Sequence, residues 1–237
     1  MIRGVGRRLG FWRRFAVAVV KPSLLVLTKR TWSGLDQVPQ EGGLIFVSNH
    51  ISHFDPLTVA HFVYESGRWP AFLAKDSLFN IPVLGRLLHA VRQIPVKRGT
   101  ADAAKALDAA ADSLRRGEAL IVYPEGTTTR EPDLWPMRGK TGVARLWLET
   151  GVPVVPVVMW GPQAIYDPRE SKLHLRPRVP VTVVAGEPID LSKWAGTTPS
   201  TQTLNEITEH IMLRLRDMLA PVRGGTAPPL WNSGSRT

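Results

Sequence analysis

The sequence predicts an α/β fold in which a central, largely parallel sheet is flanked by helices, with an N-terminal amphipathic helical arm in front of it. Three observations predict it. From residue 41 onward, short apolar runs alternate with helical stretches. The run VPVVPVVMWG (152–161) is almost entirely apolar, as strands buried on both faces are. The first 30 residues hold eight Arg or Lys and no acid, leaving 22 basic and 20 acidic residues elsewhere, in a chain of net charge +10.

The arm comes first. FWRRFAVAVVKPSLLVLTKRTW (11–32) mixes Phe11, Trp12, Phe15 and Leu24 with Arg and Lys. A membrane span needs roughly 20 apolar residues, and Lys21-Pro22 divides this run into two shorter pieces. An Arg-rich start before an apolar run has the outline of a signal peptide, but no A-x-A-like site follows. Two short amphipathic helices hinged at Pro22 and lying in a bilayer interface fit better, their cations beside anionic lipid. The plainer alternative is a helical pair packed on the body of the protein. The expected division is an arm over 1–38, a body over 39–220 and a flexible tail rich in Gly, Pro and Ser over 221–237.

Within the body, GLIFVSNH (43–50) is a strand ending in polar residues. DPLTVAHFVYE (55–65) is a helix with Asp55 as N-cap and Pro56 at the first helical position. AFLAK (71–75) is a strand, SLFNIPVLGRLLHAV a helix broken near Pro82, and QIPVKRG (93–99) a short strand. ADAAKALDAAADSLRRG (101–117) is an Ala-rich helix stopped by Gly117. ALIVYPEG (119–126) is a third clear strand, TGVARLWLETG (141–151) a helix, and 152–161 the buried strand. KLHLRP and VPVTVVAGEPI read as later strands. The last helix spans 203–220, with Thr203 and Glu206 spaced as a capping box.

The absence of cysteine excludes disulfides, Cys zinc sites and thiol nucleophiles. A nucleic-acid partner is not expected, because the body is near neutral and carries no stacking or groove-reading motif. The strands at 44–48 and 119–123 both run into polar clusters, and in open α/β sheets the crevice lies outside such C-terminal ends. The segments starting at Asn49 and at Glu125 are therefore expected to face one cleft. His50 at a strand end and Asp55 at the next helix start lie close enough for the carboxylate to fold back onto the imidazole. That pair suits a general base acting on a substrate hydroxyl, since no serine or cysteine nucleophile beyond Ser48 and Ser52 accompanies it. Two readings compete. Asp55 as a plain N-cap contributes about 1 kcal/mol, and His50, His53 and Asp55 could together ligate a metal. YPEGTTTR (123–130) offers a Gly turn, three hydroxyls and Arg130, which suit a phosphate or polyol; an ordinary hydroxyl-rich loop is the alternative. Lys75 and Arg98 end two strands and could hold a phosphate together.

These segments, in this order, resemble the glycerolipid acyltransferases, in particular the 1-acylglycerol-3-phosphate acyltransferases. NHISHFDPL is similar to their NHxxxxD block, AKDSLFNIPVLGRLLHAVRQIPVKRG to the second block, YPEGTTTR to the P-E-G-T-R-S block and VPVVPVVMWG to the fourth, covering roughly residues 40 to 162. The resemblance implies that His50 deprotonates the hydroxyl of lysophosphatidic acid and that Asp55 orients His50. The acceptor then takes an acyl group from acyl-CoA or acyl-carrier protein, giving phosphatidic acid for phospholipid biosynthesis. Lys75 and Arg98 would hold the acceptor's phosphate, and Glu125, Gly126 and Thr127 its glycerol end; no metal or cofactor is implied. The family's Arg directly follows E-G-T, whereas here Thr128 and Thr129 intervene before Arg130. This leaves glycerol-3-phosphate or another lysolipid open as acceptor. A non-catalytic lipid-binding protein of the same fold is the rival reading. The expected location is the cytoplasmic face of the cell membrane, peripheral or monotopic, on an anionic surface.

Overall fold

The computed structural model describes residues 10–96 and 100–232. In chain order the elements are α1 (Phe11–Leu27), β1 (Thr28–Ser33), β2 (Leu44–Ser48), α2 (Asp55–Glu65), β3 (Pro70–Lys75), α3 (Leu84–Ala90), β4 (Ile94–Val96), α4 (Thr100–Arg115), β5 (Ala119–Val122), α5 (Gly142–Thr150), β6 (Val154–Trp160), β7 (Tyr166–Asp167), β8 (Lys172–Leu173), β9 (Val179–Ala185) and α6 (Thr201–Arg223). Seven strands form one sheet in the order β1-β9-β6-β2-β5-β3-β4. Every pairing in it is parallel except β6 with β9. β7 and β8 make a separate two-stranded hairpin.

Side chains alternate across a strand, so each central strand feeds two cores. Ile45, Val47, Leu120 and Val154 face α4, α5 and α6, together with Ala111, Leu146 and Ile211. Leu44, Phe46, Val155 and Val157 face the other way and meet Leu24 of α1 and Phe62 of α2. All five residues of β2 are buried, which explains why its first four read as an unbroken apolar run.

Three local expectations are corrected. The arm is one helix that continues through Pro22, not two hinged at it. The chain then becomes β1, which pairs in parallel with β9 from Thr28↔Val179 to Ser33↔Val184. Its alternating burial gives no continuous apolar run to signal a strand. The final helix begins at Thr201, one turn before the expected box; Ser200 is the N-cap, its hydroxyl accepting the Thr203 N–H at 3.0 Å. The segment from Pro221 is folded as far as it is described. Pro221 lies in the last turn of α6, and Trp231 accepts the Arg138 N–H at 2.9 Å.

Glu65 ties α1 and β1 to α2. Its Oε1 meets Lys21 Nζ at 3.1 Å and Arg30 at 2.8 Å, and its Oε2 accepts the Trp32 indole N–H at 2.7 Å. This fixes α1 as one wall of the cavity described next.

Candidate active site

β2 and β5 are register-matched parallel neighbours, Val47 opposite Val122, so the chain leaves both at the same edge of the sheet. The two polar clusters meet there as expected. The His50 N–H donates to Glu125 Oε1 at 3.2 Å, and the Thr129 N–H donates to the His50 carbonyl at 2.7 Å. Asn49 fastens the end of β2 to β6: its amide accepts the Met159 N–H at 2.9 Å and donates to the Met159 carbonyl at 3.0 Å.

Asp55 is the first residue of α2, with Phe54 at the N-cap, and Pro56 follows where a missing N–H is harmless. Its carboxylate caps nothing in its own helix. Instead Oδ2 turns back and accepts three N–H groups: Ile51 at 2.6 Å, Ser52 at 2.8 Å and His50 Nδ1 at 2.9 Å. With Nδ1–H given to the carboxylate, Nε2 is left as the basic nitrogen. Asp55 is fully buried. Burial raises its pKa, and the hydrogen bonds from His50, Ser52 and Ile51 oppose that rise. The arrangement can hold one imidazole tautomer and stabilise the imidazolium that a proton transfer creates.

One face of the imidazole stacks on Tyr123, ring centres 4.2 Å apart and planes 21° off parallel. The Tyr123 hydroxyl and Asp55 Oδ1 are both buried with no hydrogen-bond partner among the described residues. Burial, then the nearby Asp55, push the Tyr123 hydroxyl well above its ordinary pKa. His53 is exposed; its ring packs edge-on to His50 at 6.4 Å and to Tyr166 at 5.4 Å. Among the described residues no group of three or more His, Asp or Glu side chains is placed to hold a metal.

Glu125 takes a different position from the one expected. It is buried, and its two oxygens accept backbone N–H groups, Oε1 from His50 and Oε2 from Met137, each at 3.2 Å. It braces the loops under His50 and does not face the cleft. Burial pushes its carboxyl up to about 8, against the hydrogen bonds from Met137, His50 and Thr129. Gly126, at φ +73°, lines the cleft; Thr127, half-buried, and Arg130, exposed, both lie outside the cleft lining. Lys75 ends β3 opposite Val96, but its side chain lies outside the described part of the structure, as does the whole of Arg98.

His50 lines a mostly apolar cavity of about 800 Å³. α1 contributes Val17, Val20 and Leu24, α2 contributes Leu57 and Tyr64, α3 contributes Leu87 and Leu88, and β3 contributes Phe72. The sequence reading missed this wall, and it missed Tyr123. The one available signal for Tyr123 was an aromatic residue closing an apolar strand just before the polar cluster.

The chain belongs to the acyltransferase family, whose model matches residues 29–160. A 1-acyl-sn-glycerol-3-phosphate acyltransferase of Borreliella burgdorferi is 32% identical over 145 residues, covering 60% of this chain and 56% of that protein. A chloroplastic 1-acyl-sn-glycerol-3-phosphate acyltransferase of Brassica napus is 29% identical over 141 residues, 59% of this chain and 39% of its own length. The chain thus spans about half, or less, of the length of these relatives. The crystal structure of the 1-acyl-sn-glycerophosphate acyltransferase PlsC from Thermotoga maritima shares the fold, with a TM-score of 0.59 and 22% identity over 87% of this chain and 81% of that one.

Proposed function

We propose that the protein is a 1-acylglycerol-3-phosphate O-acyltransferase that moves a fatty acyl group from a thioester to the free hydroxyl of lysophosphatidic acid. The observation that carries this reading is the 2.9 Å contact with buried Asp55 of a histidine, His50, that lines a mostly apolar cavity. The relatives named above carry the same activity in their names. An acyl chain in the cavity contributes about 0.8 kcal/mol per buried methylene, which favours a lipid over a small polar substrate.

In this reading Nε2 of His50 takes the proton of the acceptor hydroxyl as its oxygen attacks the thioester carbonyl carbon. The tetrahedral intermediate collapses, the carbon–sulfur bond breaks, and the imidazolium returns the proton to the departing thiolate. Asp55 holds the tautomer and offsets the charge on the ring. Tyr123 keeps the ring from rotating.

The reading also places α1 on an anionic membrane surface. Phe11, Trp12, Phe15 and Val19 are exposed on a helix that carries Arg13 and Arg14, the combination an interfacial helix needs. Among the described residues no helix is long and apolar enough to cross a membrane. The test is an acyl-transfer assay on purified protein with lysophosphatidate and glycerol-3-phosphate as acceptors and acyl-CoA and acyl-carrier protein as donors. Phosphatidate formed from lysophosphatidate supports the reading. Product from glycerol-3-phosphate alone moves the acceptor, and no product with any pair rejects catalysis of this kind.

A further inference from the structure

We propose that Lys140 is a cation that holds the acceptor's phosphate monoester above the Gly126–Thr128 turn. The inference rests on the phosphorylated acceptor proposed above and adds a specificity-determining residue to it. Gly126 leaves one face of the turn bare, and Lys140 lies across that face. A Cβ built on Gly126 would stand 3.0 Å from both Cε and Nζ of Lys140. The lysine is held in place from its backbone, its N–H donating to the Pro124 carbonyl at 2.8 Å. Its side chain is exposed and makes no hydrogen bond or ion pair with another described residue. The hydroxyls of Thr127 and Thr128, on the same turn and half-buried, are equally unengaged among the described residues.

The position fits a headgroup. Gly126 and His50 line the mostly apolar cavity, and Lys140, Thr127 and Thr128 stand just outside that lining, next to Gly126. With a chain in the cavity and a hydroxyl at Nε2, the polar end of the acceptor points to this rim. A phosphate monoester carries close to two negative charges at neutral pH and several acceptor oxygens, matching one ammonium and two hydroxyls. Glu125, the acid next to the turn, has both oxygens on the backbone N–H groups of His50 and Met137 and makes no ion pair with Lys140 among the described residues.

The test is calorimetric titration of a short-chain, monomeric lysophosphatidate into His50→Ala, which cannot turn over, and into the double variant with Lys140→Ala. Monoacylglycerol of the same chain length serves as the phosphate-free control. Loss of a charge-assisted contact weakens lysophosphatidate binding by about tenfold or more, with a steeper salt dependence in the lysine-containing protein. Monoacylglycerol binding stays the same, and Lys140→Arg retains most of the affinity. In turnover, Lys140→Ala raises the acceptor KM and leaves the donor KM unchanged. Equal lysophosphatidate affinity with and without Lys140 overturns the inference, as does an equal loss for monoacylglycerol or no lysophosphatidate binding at all. A wild-type protein that binds lysophosphatidate through Lys140 yet makes no phosphatidate overturns the proposed function and leaves this inference standing.

Discussion

Replacing Glu125 with glutamine removes a titration that burial has moved far from its ordinary range. The carboxyl is almost completely enclosed and rises from 4.5 to about 8. Because the folded-state pKa lies above the unfolded one, the proton binds more tightly to the folded chain. The stabilising contribution is complete below pH 4.5 and is lost as pH rises to about 8. At roughly 1.4 kcal/mol per pH unit, the full loss is about 5 kcal/mol. Glutamine cannot ionise, so its contribution is independent of pH. It does turn an amide N–H₂ toward the N–H of His50 or Met137, at a constant cost of about 1–3 kcal/mol. Urea denaturation of both proteins at one-unit steps from pH 5 to pH 9 isolates the effect, since all other titrating groups are shared. The stability of the wild type minus that of Glu125→Gln is expected to fall steadily from pH 5 to about pH 8 and then level off. A difference that stays flat across this range would refute the reasoning, because it would mean that Glu125 is already ionised in the folded protein.

Tyr123→Phe keeps the ring against His50 and deletes a buried hydroxyl without a partner, so the variant should be as stable as the wild type or up to about 1 kcal/mol more stable; a loss above 1 kcal/mol in denaturation would show a bond the hydroxyl makes. Asp55→Asn should remain folded by circular dichroism and lower kcat by about 10² or more, whereas unchanged turnover would reduce Asp55 to a loop brace. Replacing Phe11, Trp12 and Phe15 together with aspartate should release the protein from anionic vesicles in a flotation assay, and undiminished binding would place the membrane contact elsewhere.

The sheet was legible because its central strands are buried on both faces and so are written as continuous apolar runs, as in Leu44–Ser48 and Val154–Trp160. The strand Thr28–Ser33 was not. It is an edge strand carrying Lys29 and Arg30, and its partner Val179–Ala185 lies some 150 residues away in the chain. Pro221 and the glycines after it suggested a loose tail, yet Leu230 and Ala227 pack against the core, a long-range contact that local composition does not encode. In the site, His50 and Asp55 were readable because a strand end and a helix start lie five residues apart. Glu125 was placed at the right edge of the sheet, but its inward turn depends on the Met137 N–H, twelve residues further on. Tyr123 against His50 and Lys140 across Gly126 depend on the register of β2 with β5 and on the fold of the loop after Gly126. Neither has a periodicity to read.

His50 is the residue on which the proposed acyl transfer depends most directly. Purified wild type and His50→Ala, matched for fold by circular dichroism, are to be assayed for phosphatidate formation from lysophosphatidate and labelled acyl-CoA or acyl-carrier protein. The account predicts phosphatidate from the wild type and a rate lower by about 10² or more for the variant, with similar acceptor binding. Near-normal turnover by His50→Ala would contradict it.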